Sequence, residues 1–257
     1  MIKAAFFDVD GTLLSHKTKS VPPSAREALK KLKAAGIPCI VATGRQITEM
    51  EKLPIADIPF DGYLTLNGQL MLDGDKNVVF SKPITGAVKD FLVRQFQNHD
   101  YPALLVEEKH TYLNFVTDHV RATQEAISSP IPPFGTYSGN EIYQVCAYLR
   151  PHEEHHLDPI VGDAVITRWH FGGMDVVAKG GGKVSGIRDY LAAAGLTPEE
   201  IIAFGDGEND IEMLRFAGIG IAMGNAVEEA KKAADYVTAD IDDDGIEKAL
   251  KHFGLID

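Results

Sequence analysis

The chain has 257 residues, 45% of them hydrophobic and 24% charged, and a formal net charge of -12. This composition fits a globular protein of one large or two modest domains, and the acidic balance excludes non-specific nucleic-acid binding. Two cysteines, Cys39 and Cys146, are too few for a disulfide framework. No apolar run approaches the length of a membrane span. The N-terminus enters an apolar stretch with no room for a signal peptide, so a cytoplasmic protein with no membrane partner is expected.

Residues 2–7 read as a buried strand that ends abruptly in Asp8-Val9-Asp10-Gly11-Thr12. Pro22-Pro23-Ser24 opens a helix whose stripe is Ala25, Ala28, Leu29 and Leu32, and Gly36 stops it. Residues 38–42 make a second strand, followed at once by Thr43-Gly44-Arg45 and a short helix over 47–53. This is a βαβ unit and predicts a parallel sheet. A third strand over 62–66 ends in Asn67-Gly68, and residues 69–72 and 78–81 flank a hairpin turn at Asp73-Gly74-Asp75.

The rhythm changes near Pro83. Up to about residue 178 it runs helix, two strands, helix, a Pro- and Gly-rich loop over 129–139, then three strands over 142–149, 165–169 and 174–177. After Lys183 the βα alternation returns: a helix over 184–194, a strand over 201–204, Gly205-Asp206-Gly207-Glu208-Asn209-Asp210, a helix over 211–216, a strand over 219–223, and helices over 227–234 and 245–253. The economical arrangement is a doubly wound, Rossmann-like α/β core formed by residues 1–82 and 179–257, interrupted by an inserted α+β domain over 83–178.

Four polar clusters follow core strands or open core helices: Asp8/Asp10, Thr43-Gly44, Lys183, and Asp206/Asn209/Asp210. The carboxyl ends of parallel strands are where open α/β sheets bind ligands. Two acids one residue apart repel each other and call for a compensating cation, and Mg2+ is the usual hard cation of phosphate chemistry. Thr43 offers a hydroxyl, and Gly44 backbone N–H. Lys183 places an ammonium at a helix start, where an anion can sit. Asp206 can complete a metal site, Asn209 can hydrogen-bond phosphate without adding charge, and Asp210 can support the metal from behind or cap its helix. Each cluster alone also describes an ordinary turn or cap; four in this order after these strands describe the inventory of phosphoryl transfer.

The same residues resemble the motifs of the haloacid dehalogenase-like superfamily. Asp8-Val9-Asp10-Gly11-Thr12-Leu13 is similar to its first motif, Thr43-Gly44-Arg45 to its second, Lys179-Gly180-Gly181-Gly182-Lys183 to its third, and Gly205-Asp206-Gly207-Glu208-Asn209-Asp210 to its fourth. The insert between the second and third motifs resembles the Cof-type branch with a C2-type cap, and Arg168-Trp169 before Asp175 resembles bacterial hexose-phosphate phosphatases. The resemblance implies a Mg2+-dependent phosphatase of small phosphorylated metabolites, sugar phosphates foremost. It makes Asp8 the nucleophile that becomes an aspartyl-phosphate and Asp10 the general acid/base. It implies phosphate contacts at Val9, Thr43, Gly44, Lys183 and Asn209, and Mg2+ held by Asp8, the Asp10 backbone carbonyl and Asp206. Substrate contacts are expected at Arg45, Glu107, Arg168, Trp169 and Asp175, with Trp169 and Asp175 also readable as part of the cap core or the hinge. A phosphomutase with the same intermediate and a non-catalytic phosphosugar sensor are the competing readings.

Three other patterns fail on inspection. His152-Glu153-Glu154-His155-His156 has the zinc-protease spacing, but Pro151 and Pro159 leave too short a helix. Asp240, Asp242 and Asp244-Gly245 imitate a calcium loop, with Lys251 where the bidentate Glu belongs. Gly180-Gly181-Gly182-Lys183 lacks the upstream glycine and the Ser/Thr of a phosphate loop.

Overall fold

The structure is a computed structural model and describes residues 1–127 and 129–257. In chain order its elements begin with β1 (Ala4–Phe7), α1 (Pro23–Ala34), β2 (Cys39–Ala42), α2 (Ile47–Met50), β3 (Gly62–Thr65), β4 (Leu70–Asp73) and β5 (Val78–Ser81). The middle of the chain gives α3 (Gly86–Asn98), β6 (Ala103–Val106), β7 (Thr111–Leu113), α4 (Asp118–Ala126), β8 (Gln144–Ala147), β9 (Ala164–His170) and β10 (Gly173–Ala178). The remainder gives α5 (Lys183–Ala194), β11 (Ile201–Gly205), α6 (Ile211–Phe216), β12 (Ile219–Ala222), α7 (Glu228–Ala233), β13 (Tyr236–Val237) and α8 (Gly245–His252). Two compact units result: Met1–Phe80 with Gly182–Asp257, and Ser81–Gly181.

In the first unit the described strands form an eight-stranded sheet, in the order β13-β12-β11-β1-β2-β3-β4-β5. From β13 to β3 every pairing is parallel, and β4 runs antiparallel to β3. Parallel strands covered on both faces read as unbroken apolar runs. Accordingly Ala4, Ala5, Phe6 and Phe7 of β1 are all fully buried, as are Ile201 to Phe204 of β11. The Phe7 and Phe204 rings stack at 4.9 Å across this central pair. Burying a Phe side chain stabilises the fold by about 1.5–3 kcal/mol. Helix α1 begins with Pro23 in its first turn and buries the stripe Ala25, Ala28, Leu29 and Leu32.

From β1 the chain steps one way to β2 and β3, and on its return the other way through β11, β12 and β13. The reversal lies between β1 and β11, the kind of switch point where open α/β sheets place ligands. Asp8, Thr43 and Asp206 are the residues immediately after β1, β2 and β11. The topology therefore gathers them at one edge of the sheet.

The second unit has an antiparallel sheet, β7-β6-β8-β10-β9 among the described residues. Its core joins Leu92 and Phe96 of α3 to Leu105, Val145, Ala147, Met174 and Val176 of the sheet. Val120 of α4 packs with Leu113 and Tyr148 in a separate cluster. The fold class expected from the sequence, a doubly wound α/β core with an α+β insert, is the one observed.

Local differences have physical reasons. Helix α2 ends at Met50, short of residue 53, and Pro54 follows soon after. Residues Pro151–Ile160 form a 3-10 helix that buries Leu157 and Ile160. At about three residues per turn, positions four apart do not share a face, so the zinc-type histidine spacing has no geometry to support it. Strand β13 is only two residues long and carries no periodic signal. Cys39 and Cys146 are not joined in a disulfide. Among the described residues no helix is long and apolar enough to cross a membrane.

Candidate active site

Asp8 leaves β1 with its backbone N–H donating to the Phe204 carbonyl at 3.0 Å. Its carboxylate Oδ1 accepts a hydrogen bond from Lys183 Nζ at 2.6 Å, and the same ammonium donates to Asp210 Oδ1, also at 2.6 Å. Exposure of Asp8, Lys183 and Asp210 is 6%, 3% and 0%, so this is a buried ion triad rather than a surface pair. The second oxygen of Asp210 accepts the backbone N–H of Asp206 and of Gly207, each at 2.9 Å. Asp210 therefore caps the turn after β11 and anchors the lysine together.

Asp206 receives the Thr12 hydroxyl at 2.9 Å. Gly11 stands at φ +78°, and a Cβ there would lie 2.1 Å from Asp206 Oδ2. Only glycine allows the first-motif turn to press this closely on the Asp206 carboxylate. On the far side of the turn, Asn225 Nδ2 donates to the Gly11 carbonyl at 2.7 Å, and its Oδ1 accepts from the Ile241 N–H at 3.0 Å.

Three carboxylates, those of Asp8, Asp206 and Asp210, have oxygens within 4.8 Å of one another, with one ammonium among them. Burial pushes the Asp8 carboxyl well above its ordinary value; Lys183 opposes this, while Asp210, Asp206 and Asp10 add to it. Asp206 is pushed up to about 7, first by burial and then by the charge of Asp210, against the Thr12 hydrogen bond. Burial alone would depress Lys183, yet Asp210 and Asp8 hold it above its usual range. The site thus has more negative charge than Lys183 offsets, and its donors are hard oxygens. That donor set fits a Mg2+ ion. Both oxygens of Asp210 are engaged, one by Lys183 and the other by two N–H groups.

Asp10 points elsewhere. Arg45 grips both of its oxygens, Nε to Oδ2 at 2.6 Å and Nη2 to Oδ1 at 2.9 Å. Arg45 belongs to the first unit, and its guanidinium is engaged with Asp10. Thr43 is buried and its Oγ1 accepts the Arg45 N–H at 3.1 Å. Asn209 is exposed and its Nδ2 donates to Asn67 Oδ1 at 3.4 Å. Val9 is buried, and its carbonyl accepts the N–H groups of Thr12, Leu13 and Leu14. Leu66, Asn67 and Gly68, next to these residues, all have positive φ. For Leu66 that conformation costs about 1–2 kcal/mol.

The insert residues lie in the second unit. Glu107 is 2% exposed and accepts hydrogen bonds from Tyr112, Ser138 and Asn140. Burial would raise its carboxyl, but the Asn140, Ser138 and Tyr112 donors bring it below its ordinary value. It lies in a cavity of about 340 Å³ together with Glu108, Lys109, His110, Asn140 and Glu141. Arg168 does not present a free guanidinium: Nε and Nη2 bind Glu154, and Nη1 donates to the carbonyls of Leu149, His170 and Phe171. Asp175 pairs across the ladder with Cys146, whose Sγ is 3.0 Å from its Oδ1. Burial pushes Asp175 up to about 6, against hydrogen bonds from Cys146, Gln144 and Trp169. Trp169 remains 36% exposed, edge-on to Tyr148.

With this geometry in place, the comparisons decide the family. The model of the haloacid dehalogenase-like hydrolases matches residues 5–250. The chain belongs to the haloacid dehalogenase-like hydrolases. YkrA of Bacillus subtilis is 30% identical over 258 residues, covering 99% of this chain and 98% of that protein. A solved phosphatase of the superfamily from Bacteroides thetaiotaomicron superposes with a TM-score of 0.91 at 35% identity, covering 100% of this chain and 96% of that one. A solved subclass IIB sugar phosphatase of the superfamily superposes with a TM-score of 0.84 at 37% identity, covering 99% and 100%. This haloacid dehalogenase-like hydrolase is a phosphoric monoester hydrolase.

Sequence reasoning missed two residues of the site, Asn67 and Asn225, and one contact, that of Arg45. Arg45 was legible as part of a motif but not as the partner of Asp10. Asn67 carried a signal, an Asn-Gly pair directly after a strand. Asn225, three residues past β12, is a polar residue at the same edge of the sheet.

Proposed function

We propose that this hydrolase cleaves small phosphomonoesters, sugar phosphates foremost, by transferring the phosphoryl group to Asp8. The reading is carried by one observation: a buried carboxylate, Asp8, in 2.6 Å contact with the buried Lys183 at the end of the central strand. The Asp8 oxygen forms a bond to phosphorus as the bond from phosphorus to the leaving oxygen breaks. Asp10 gives its proton to that oxygen, then takes one from the water that attacks the aspartyl-phosphate, and Asp8 is regenerated. Arg45 occupies both Asp10 oxygens, so this role requires the Asp10–Arg45 pair to open. Lys183 offsets charge on Asp8 and on the transferred group; Thr43, Asn209 and the backbone at Val9 and Gly44 supply hydrogen bonds to its oxygens. Asp8, Asp206 and the Asp10 carbonyl are the residues that would hold Mg2+, which when bound offsets the repulsion between an attacking carboxylate and a phosphate.

Residues 83–178 are assigned the choice of leaving group. Carboxylates and an exposed indole, as in Glu107, Asp175 and Trp169, are the chemistry that recognises sugar hydroxyls and faces. Phosphate release from a panel of sugar phosphates, nucleotides, flavin mononucleotide and pyridoxal phosphate, with Mg2+ and with chelator, tests the reading. The expected result is Mg2+-dependent release with hexose phosphates preferred, abolished by Asp8→Asn with the fold intact. Appreciable turnover by Asp8→Asn would remove Asp8 as the nucleophile. Conversion of glucose 1-phosphate to 6-phosphate without release would mean a mutase, and tight binding without turnover a sensor.

A further inference from the structure

The Thr43-Gly44 turn and the segment 206–210 are joined by a structure that belongs to neither motif. Leu66, Asn67 and Gly68 stand at φ +53°, +53° and +85°, three successive residues in the left-handed region. Glycine and asparagine tolerate that region, but the Cβ of a leucine disfavours it, so the surroundings must hold it. The Leu66 N–H donates to the Arg45 carbonyl at 3.2 Å, and the Asn67 N–H to the Thr43 carbonyl at 2.9 Å. Gly68 lies so close to the start of α5 that a Cβ there would be 2.4 Å from the Gly182 carbonyl oxygen and 3.2 Å from Lys183 Cα. The turn is thereby clamped between the strand-end loop bearing Thr43 and the helix bearing Lys183.

The clamp fixes one side chain. The Asn67 amide lies against Gly44, where an added Cβ would be 3.1 Å from Oδ1 and 3.2 Å from Nδ2. Its Oδ1 accepts from Asn209 Nδ2 at 3.4 Å. Asn67 thus touches both segments assigned to the oxygens of a bound phosphate, through its backbone on one side and its amide on the other. We propose that Asn67 is a positioning residue of the phosphate pocket, setting the spacing between the Thr43-Gly44 turn and the Asn209 amide. This rests on the reading of Thr43, Gly44 and Asn209 as phosphate-binding residues. An amide suits the place for two reasons: it tolerates the left-handed backbone, and it is neutral where an anion arrives. An aspartate would fit the same turn and accept the same Asn209 hydrogen bond, but would bring a negative charge to the phosphate.

Two variants separate positioning from mere folding. Asn67→Gly keeps the backbone conformation and deletes the amide; Asn67→Asp keeps shape and acceptor and adds charge. The readouts are KM and kcat for p-nitrophenyl phosphate, the inhibition constant of inorganic phosphate, and the thermal midpoint. Asn67→Asp is expected to weaken inorganic phosphate and raise KM by about ten- to a hundredfold, and Asn67→Gly by about three- to tenfold. The thermal midpoint should stay near that of the unsubstituted protein, and kcat should fall less than KM rises. Inorganic phosphate bound within about twofold of normal by both variants would overturn the proposal. Thr43→Ala and Asn209→Ala, measured alongside, locate a failure. If they weaken phosphate while both Asn67 variants do not, the positioning role is wrong; if they leave phosphate unchanged, the phosphate-binding reading itself falls and the proposal with it.

Discussion

Lys183 shows how much of the site rests on single charges. Its Nζ lies 2.6 Å from both Asp8 and Asp210 and is almost wholly removed from water. A buried ion pair adds little net stability, because desolvation offsets the attraction, but removing one partner strands the others. Lys183→Ala is therefore expected to lower unfolding stability in chelator by about 3–5 kcal/mol, measured by urea denaturation. A loss below about 1 kcal/mol would mean that the two carboxylates find other compensation. Arg45 and Asp10 form a more exposed pair, with side chains 36% and 31% accessible, so their contact is solvent-screened and suited to opening rather than to holding the fold.

At the scale of elements, the site is a set of strand ends and turns whose mutual approach is set by glycine. Gly11 is the clearest case, because its φ of +78° and the 2.1 Å approach of Asp206 Oδ2 both forbid a side chain. Gly11→Ala is expected to destabilise the protein by about 1–3 kcal/mol and to weaken Mg2+ binding, as Asp206 is displaced. Titration of thermal stability with Mg2+ checks both, and an unchanged Mg2+ midpoint would place the metal away from Asp206. Much of this was legible in the sequence. Strands β1, β2 and β11 are buried on both faces and so read as plain apolar runs, and the polar residues directly after them are the ones brought together. What was not legible depends on long-range partners. Nothing local says that Arg45 turns to Asp10, that Leu66 adopts a left-handed conformation, or that Arg168 is occupied by Glu154 and three carbonyls. The histidine cluster at 152–156 was legible for the opposite reason: the local prolines, Pro151 and Pro159, rule out the long helix its spacing needs, and the segment is a 3-10 helix.

For the whole molecule, the uncompensated acids of the site link folding to pH and to metal. Asp206 stands at about 7 in the folded protein against an ordinary 3.8, and Asp175 of the second unit at about 6. A raised carboxyl keeps its proton in the folded state where the unfolded chain has released it. Stability from this source is present below the unfolded value and is lost as pH rises through the folded one. The metal-free protein should therefore lose thermal stability between about pH 4 and pH 7, and Mg2+ should stabilise it more at about pH 7.5 than at about pH 5. Equal stabilisation by Mg2+ at both ends would contradict the link to Asp206. The reaction itself is phosphoryl transfer to Asp8 under the proposed mechanism. It is tested most directly by mixing enzyme, Mg2+ and a hexose phosphate, quenching in acid within the first turnover, reducing with borohydride and mapping the peptides. An acyl phosphate on Asp8, read as homoserine at that position and absent without Mg2+, is the expected result; release of phosphate in the same turnover with Asp8 never modified would contradict it.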